Sequence, residues 1–259
     1  MGLLRAILPA LLALAAGFLP AQPGRVRVAA AADLKWALED AAAAFAREQP
    51  GRTCVLTFGS SGSFFAQLTQ GAPFDVFLSA DVAYPQRLVE RGLARADTLF
   101  RYGQGGLVLW VPAASPVPIE QLGLASVRHP AVRKVAIANP LHAPYGLAAQ
   151  AALQRAGMLE HARGKLVLGE NVSQAAQFVH SGAADLGIIA RSLALAPAMR
   201  DRGRIWRIPP ELHPPLDQGG VVLARARDPE AALAFARFLA GPAGASIFAK
   251  HGFDPPGNR

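Results

Sequence analysis

Cysteine is nearly absent. The chain of 259 residues holds one, Cys54, inside the apolar stretch Thr53-Cys54-Val55-Leu56-Thr57-Phe58. A single thiol excludes a disulfide within the chain, and no Cys/His spacing of the kind that holds zinc occurs. A thiol in such a run is expected to be buried and inert. Charge is scarce as well: 17% of residues are charged and 52% hydrophobic, which excludes a disordered chain. Acids are the smaller part of that charge, 18 against 26 bases, for a net +8. The bases are scattered on helices that also carry Glu or Asp. They do not cluster with aromatics, and no helix-turn-helix pattern appears, so no nucleic-acid partner is expected. Spread in this way they form a solvated basic surface able to steer anions at long range. Internal repeats and low-complexity tracts are lacking too.

Long apolar runs are confined to the start. Residues 7–19 are almost unbroken Ala, Leu and their like, behind Arg5 and interrupted or ended by Pro9 and Pro20. That is too short and too proline-marked for a stable membrane span, and it reads as a secretory signal over 1–21. Cleavage is expected after Ala21, although Leu19 is not the small residue usual three places from a cut. No cysteine stands there to carry a lipid anchor. The mature chain is therefore expected to be soluble and outside the cytoplasm.

What remains alternates between apolar strands and amphipathic helices. Strands are expected at 26–32, 53–58 and 74–79, with helices at 34–49, after Gly62 and at 84–91. This β-α-β-α-β-α order is the pattern of a parallel sheet covered on both faces. Further strands at 107–111, 134–138, 165–168 and 185–190, with helices at 147–156 and 174–180, form a second α/β unit. The proline-rich stretch 209–215 reads as an extended crossover. A strand at 219–224 and helices capped by Asp228 and broken at Gly241-Pro242 complete the chain. Asp75 and Asp81 read as turn and strand-end caps.

Strand-to-helix corners hold the chemistry. At Phe58-Gly59-Ser60-Ser61-Gly62-Ser63 the glycines let a ligand approach the backbone, and the helix start offers free N–H groups beside serine hydroxyls. This is a pocket for a small anion, although the same residues also serve as ordinary caps and turns. It is not a nucleophile elbow, which needs G-x-S-x-G; here Ser63 stands where the last glycine should be. No His and Asp are placed as base and orienter for Ser61, which speaks against a hydrolase. Asp33 lies at a second such corner. His142, in the loop Asn139-Pro140-Leu141-His142-Ala143-Pro144-Tyr145-Gly146, reads as a hydrogen-bonded loop histidine rather than a metal ligand.

Val28-Ala29-Ala30-Ala31-Ala32-Asp33-Leu34, the Gly59-Ser60-Ser61-Gly62 corner, Gly71-Ala72-Pro73-Phe74-Asp75-Val76-Phe77-Leu78-Ser79-Ala80-Asp81, the 139–146 loop, Glu170-Asn171-Val172 and Phe248-Ala249-Lys250-His251-Gly252-Phe253 stand in this order. Together they resemble the periplasmic molybdate-binding proteins of ABC importers, over nearly all of the mature chain. The resemblance implies two α/β lobes, each a mostly parallel sheet flanked by helices, with the ligand in the cleft between them. Lobe 1 would be 25–102 plus 216–259 and lobe 2 103–215, with crossovers near 102–106 and 209–218.

It further implies a periplasmic, non-enzymatic receptor, expected to be monomeric, that captures molybdate or tungstate and passes it to a membrane permease. No cofactor is implied. Molybdenum would enter only as molybdate, held through its oxygens at Asp33, Ser61, Tyr145 and Val172. Ala190 completes the set carried over by position, and Ser60, from the corner itself, joins the expected oxyanion-binding residues.

Two positions depart from the pattern. The family often has Ser or Thr where Asp33 stands, and Tyr where Ala190 stands. An ionised carboxylate cannot donate a hydrogen bond to an anion. Asp33 could cap its helix through the N–H of Lys35 or Trp36, accept a proton from a protonated, phosphate-like anion, or be neutralised by Lys35. The second option keeps open a receptor for another small, protonated oxyanion or organic anion.

Overall fold

The computed structural model describes residues 24–257, so the signal expected at 1–21 lies outside the described residues. The chain begins β1 (Arg25–Ala31), α1 (Lys35–Glu48), β2 (Thr53–Gly59), α2 (Ser61–Thr69), β3 (Val76–Ser79) and α3 (Ala83–Glu90). β4 (Phe100–Gln104) and β5 (Leu107–Pro112) follow, separated by Gly105 and Gly106. Then come α4 (Ile119–Leu122), β6 (Val135–Ala138), α5 (Pro144–Arg155), α6 (Leu159–Arg163) and β7 (Leu166–Gly169). α7 (Val172–His180), β8 (Leu186–Ala190), α8 (Arg191–Ala194) and β9 (Gly203–Arg207) complete the middle of the chain. β10 (Asp217–Val222), α9 (Pro229–Ala240) and α10 (Pro242–Lys250) close it.

These strands form two five-stranded sheets, ordered β2-β1-β3-β10-β4 and β7-β6-β8-β5-β9. Each has a parallel core, β2-β1-β3 or β7-β6-β8, because helices carry the chain back between those strands. β10 and β5 run antiparallel to these cores, and β4 and β9, paired antiparallel to β10 and β5, run with the cores again, so each sheet is mixed by one reversed strand and otherwise parallel. These four strands flank the crossovers. β4 leaves the first sheet and becomes β5 of the second; β9 leaves the second and the chain returns as β10. The two connections are tied to each other where Gly105 N–H donates to Leu216 O and Ile208 N–H to Leu107 O.

The central strands are covered on both faces, which is why they read as continuous apolar runs. Val26, Val28, Val76 and Leu78 are buried in one sheet, and Val135, Ile137, Ile188 and Ile189 in the other. α1 lays Leu38, Ala41 and Phe45 on the first sheet, where Phe45 meets Phe235 and Phe238 of α9 with ring centroids 5.1 and 5.7 Å apart. Cys54 corrects an expectation. It sits on the edge strand β2 and is only partly buried, although burial still pushes its thiol up to about 12.

Asp75 fastens the start of β3. Its buried carboxylate accepts Arg27 Nε and Nη2 at 2.9 and 2.7 Å and the N–H groups of Arg27 and Arg227, each at 2.7 Å. Burial opposes its charge, but these donors outweigh that and hold the carboxyl below its ordinary range. Asp81 accepts Ala83 N–H at 2.9 Å, a local cap. Removing one partner of a buried ion pair strands the other. Asp75→Ala is expected to lower stability by about 3 kcal/mol in urea unfolding, while the anion affinity of the folded fraction stays as in the parent.

Candidate functional site

Four corners face one another between the sheets. They are the 3-10 turn Ala32–Leu34 after β1, the entry to α2 after β2, the entry to α5 after β6, and the entry to α7 after β7. Asp33, Gly59, Ser60, Ser61, Tyr145 and Val172 are among the residues lining the cavity they enclose. About 10 Å³ of it is open to the centre of a water-sized group, so it is small as it stands. No Lys, Arg or His is among the lining residues. The first turns of α2, α5 and α7 bring positive helix ends and free N–H groups instead.

The caps decide which N–H groups remain for a ligand. Ser60 Oγ accepts Ser63 N–H at 3.3 Å, and Gly62 N–H goes to His142 O at 2.9 Å. That leaves the amide of Ser61, first residue of α2. Asn171 Oδ1 takes the N–H groups of Ser173 and Gln174 at 3.0 and 3.1 Å, leaving that of Val172. The Ser61 hydroxyl is fully buried and accepts Ala80 N–H at 3.0 Å, so its own hydrogen is left to donate.

Ser60 has a different role from the one expected. Its hydroxyl is engaged with Ser63 Oγ and His142 Nδ1, each at 2.8 Å, so it caps α2 and bridges to the 139–146 loop. Ala190 does not line the cavity. It is buried at the end of β8 opposite Leu107, and its methyl group can donate nothing. The next two residues carry the contacts there. Arg191 Nε donates to Gly252 O at 2.6 Å and Nη2 pairs with Asp254 at 2.8 Å, while Ser192 Oγ donates to Asp33 O at 2.8 Å.

Asp33 does not cap its helix. Neither the 3-10 turn nor α1 has a side-chain cap, and Lys35 lies over the Trp36 ring at 5.1 Å. Asp33 turns inward, 1% exposed, and its Oδ2 accepts Gln218 Nε2 at 2.5 Å. Oδ1 is buried with no hydrogen-bond partner among the described residues. Burial raises the carboxyl to about 6; Gln218, the nearby Tyr145 hydroxyl and the residue's own backbone N–H hold it from rising further.

Gln218 organises the surroundings. Its Nε2 also donates to Tyr145 Oη at 3.2 Å, and its Oε1 accepts from Tyr102 Oη at 3.0 Å. Tyr102 is shared with Ser79 O at 2.9 Å and stacks on Phe248 at 4.9 Å. Neither Gln218 nor Tyr102 was picked out from sequence. The available signal was a polar residue beside the apolar run 219–224, which, if buried, has to be satisfied by other buried groups. Gly105 passes beneath this network. A Cβ there would meet the Tyr145 hydroxyl and come within 2.7 Å of Gln218 Nε2.

Two mixed α/β sheets with a small cavity between their corners define a two-lobed ligand-binding protein. A family model described as bacterial extracellular solute-binding protein matches residues 26–254, and the chain belongs to that family. It is 39% identical over 235 residues to the molybdate-binding protein ModA of Rhodobacter capsulatus, covering 91% of this chain and 90% of that one. The ModA of Azotobacter vinelandii is 37% identical over 243 residues, 93% of this chain and 95% of that one. The solved Azotobacter vinelandii periplasmic molybdate-binding protein matches with a TM-score of 0.83 at 33% identity, over 90% of this chain and 100% of that one. The sulfate-binding protein SubI of Mycobacterium tuberculosis H37Rv shares the fold, with a TM-score of 0.71 at 18% identity over 89% of this chain and 86% of that one.

A carboxyl raised by folding binds its proton more tightly in the native state than in the unfolded one. The stability this contributes is complete below about pH 4 and is lost as pH rises through about 6. Asn carries no such proton. The stability of Asp33→Asn relative to the parent should therefore rise across that window by roughly 2–3 kcal/mol and level off above it. Unfolding both ligand-free proteins in urea at pH 4, 5, 6 and 7.5 measures the difference.

Proposed function

We propose that the chain is the solute-binding component of an ABC importer and that it captures molybdate or tungstate. The observation that carries the reading is the cavity itself: a compact space lined by the Ser61 hydroxyl and the helix-start amides of Ser61 and Val172, without a cation. Neutral donors that converge in a water-poor site favour an anion through charge-assisted hydrogen bonds. Their fixed positions discriminate by where the oxygens fall. The molybdate-binding names of the relatives support the same ligand.

On this reading the protein is an exported monomer, holds no cofactor, and hands its ion to a membrane permease. It performs no chemistry on its cargo. Ser61 has no histidine base: His142 Nδ1 is directed to Ser60 and Ser63. The second reading, a receptor for an anion that brings its own proton, is favoured by one observation, the unpaired Oδ1 of Asp33.

Calorimetric titration with molybdate, tungstate, sulfate and phosphate tests both. Molybdate and tungstate should bind alike, and sulfate much more weakly. Equal competition by sulfate would make this a general oxyanion receptor, and preference for phosphate would favour the second reading. Ser61→Ala should weaken molybdate binding by ~1.5–3 kcal/mol with little change in melting temperature. An unchanged affinity would reduce Ser61 to its bond with Ala80.

A further inference from the structure

We propose that Asp33 and the bound oxyanion share a proton through Asp33 Oδ1, so that the receptor takes up one proton with each fully ionised anion it binds. This rests on the oxyanion reading above and specifies the form of the site that is competent to bind.

Geometry leads to it. One carboxylate oxygen of a residue 1% exposed is committed to Gln218. The other is buried, unpartnered and belongs to a residue that lines the cavity. An anion seated on Ser61 and Val172 would place oxygens beside it. Two oxygens that both only accept repel each other, whereas one hydrogen between them makes a strong, short bond.

None of the cationic groups nearby is placed to relieve that repulsion, and the Tyr145 hydroxyl, which accepts from Gln218 and is itself a hydrogen-bond partner of the Asp33 carboxyl, is neutral. Arg191 of α8 is engaged by Asp254 and Gly252 O, and Ser192 of the same helix donates to the main chain of Asp33. His142 of the 139–146 loop is directed to Ser60 and Ser63. Lys35 of α1 lies over Trp36. Tyr145 of α5 and Tyr102 of β4 are pushed well above their ordinary range by burial, then by Asp33, and so stay neutral without giving up a proton. Gln218 of β10 has no proton to lose. The hydrogen therefore comes from solvent: a carboxylate, a hydron and a dianion become a carboxylic acid donating to the dianion, and only an O–H bond forms.

The free carboxyl is already close to the range needed, raised to about 6 by burial. At higher pH only the protonated fraction of the receptor is competent. The apparent Kd should then rise by about tenfold per pH unit.

The test is calorimetry of the mature chain with sodium molybdate between pH 6 and 8.5, in buffers of different ionisation enthalpy. The expected result is a Kd that rises by about tenfold per unit above pH 6.5, with proton uptake near one at pH 8. In Asp33→Asn the amide N–H replaces the acid O–H. That variant should bind at pH 8 at least as tightly as the parent, with no pH slope and no uptake. His142→Gln should keep the slope, because His142 contacts Ser60 and Ser63 rather than Asp33. A parent protein that binds molybdate with flat affinity and no uptake overturns the proposal and leaves the receptor reading standing. Loss of the slope in His142→Gln rather than in Asp33→Asn also overturns it. If neither molybdate nor tungstate binds at any pH, the receptor reading and this proposal fail together. If Asp33→Asn does not fold, the parent's slope and uptake decide.

Discussion

The arrangement depends on one buried primary amide. Gln218 lies where the chain re-enters the first sheet, and its side chain reaches three elements at once. Asp33 belongs to the corner after β1, Tyr102 to β4, and Tyr145 to α5 on the side of the second sheet. A buried amide has to satisfy both ends, and this one does so with groups from both sides of the cleft. Its fixed orientation leaves Asp33 with one oxygen engaged and one to spare. The aromatic stack of Tyr102 on Phe248 holds the far end of the network against the C-terminal helix.

The cavity brings together neutral donors and one acid. Desolvation makes every fixed charge costly in such a space, and a cation built into the wall would bind many small anions without distinguishing them. Hydroxyls and helix-start amides give up that indiscriminate strength for geometry. The acid is the exception. It stands in the wall itself, with one carboxylate oxygen bonded to Gln218 and the other buried without a hydrogen-bond partner among the described residues.

Much of this was legible in the sequence. The parallel cores show as apolar runs, and the corner residues Asp33, Ser61, Tyr145 and Val172 do line one cavity. β4 and β9 were missed because each is short, carries arginine, and sits at a sheet edge, where most of its residues are only partly buried and no continuous apolar run marks it. Which strand of each sheet is reversed, β10 in one and β5 in the other, depends on how the chain crosses between sheets, which local pattern does not encode. Ser60 and Ser61 are adjacent and chemically identical. Only the helix phase, which aims one at His142 and the other at Ala80, separates them. Asp33 reads locally as a good N-cap, and the long-range pull of Gln218 overrides that preference. Ala190 was assigned by position alone, and the polar contacts at that corner belong to its neighbours.

The meeting of Gly62 and His142 has a further consequence. There the first turn of α2 touches the facing loop through an amide hydrogen and a carbonyl, and a Cβ on Gly62 would come within 2.6 Å of that carbonyl oxygen. The seam between the halves is thus written partly in main chain, indifferent to side-chain drift everywhere except at the one residue that has no side chain. Side chains around such a seam can change without disturbing how the two halves meet there.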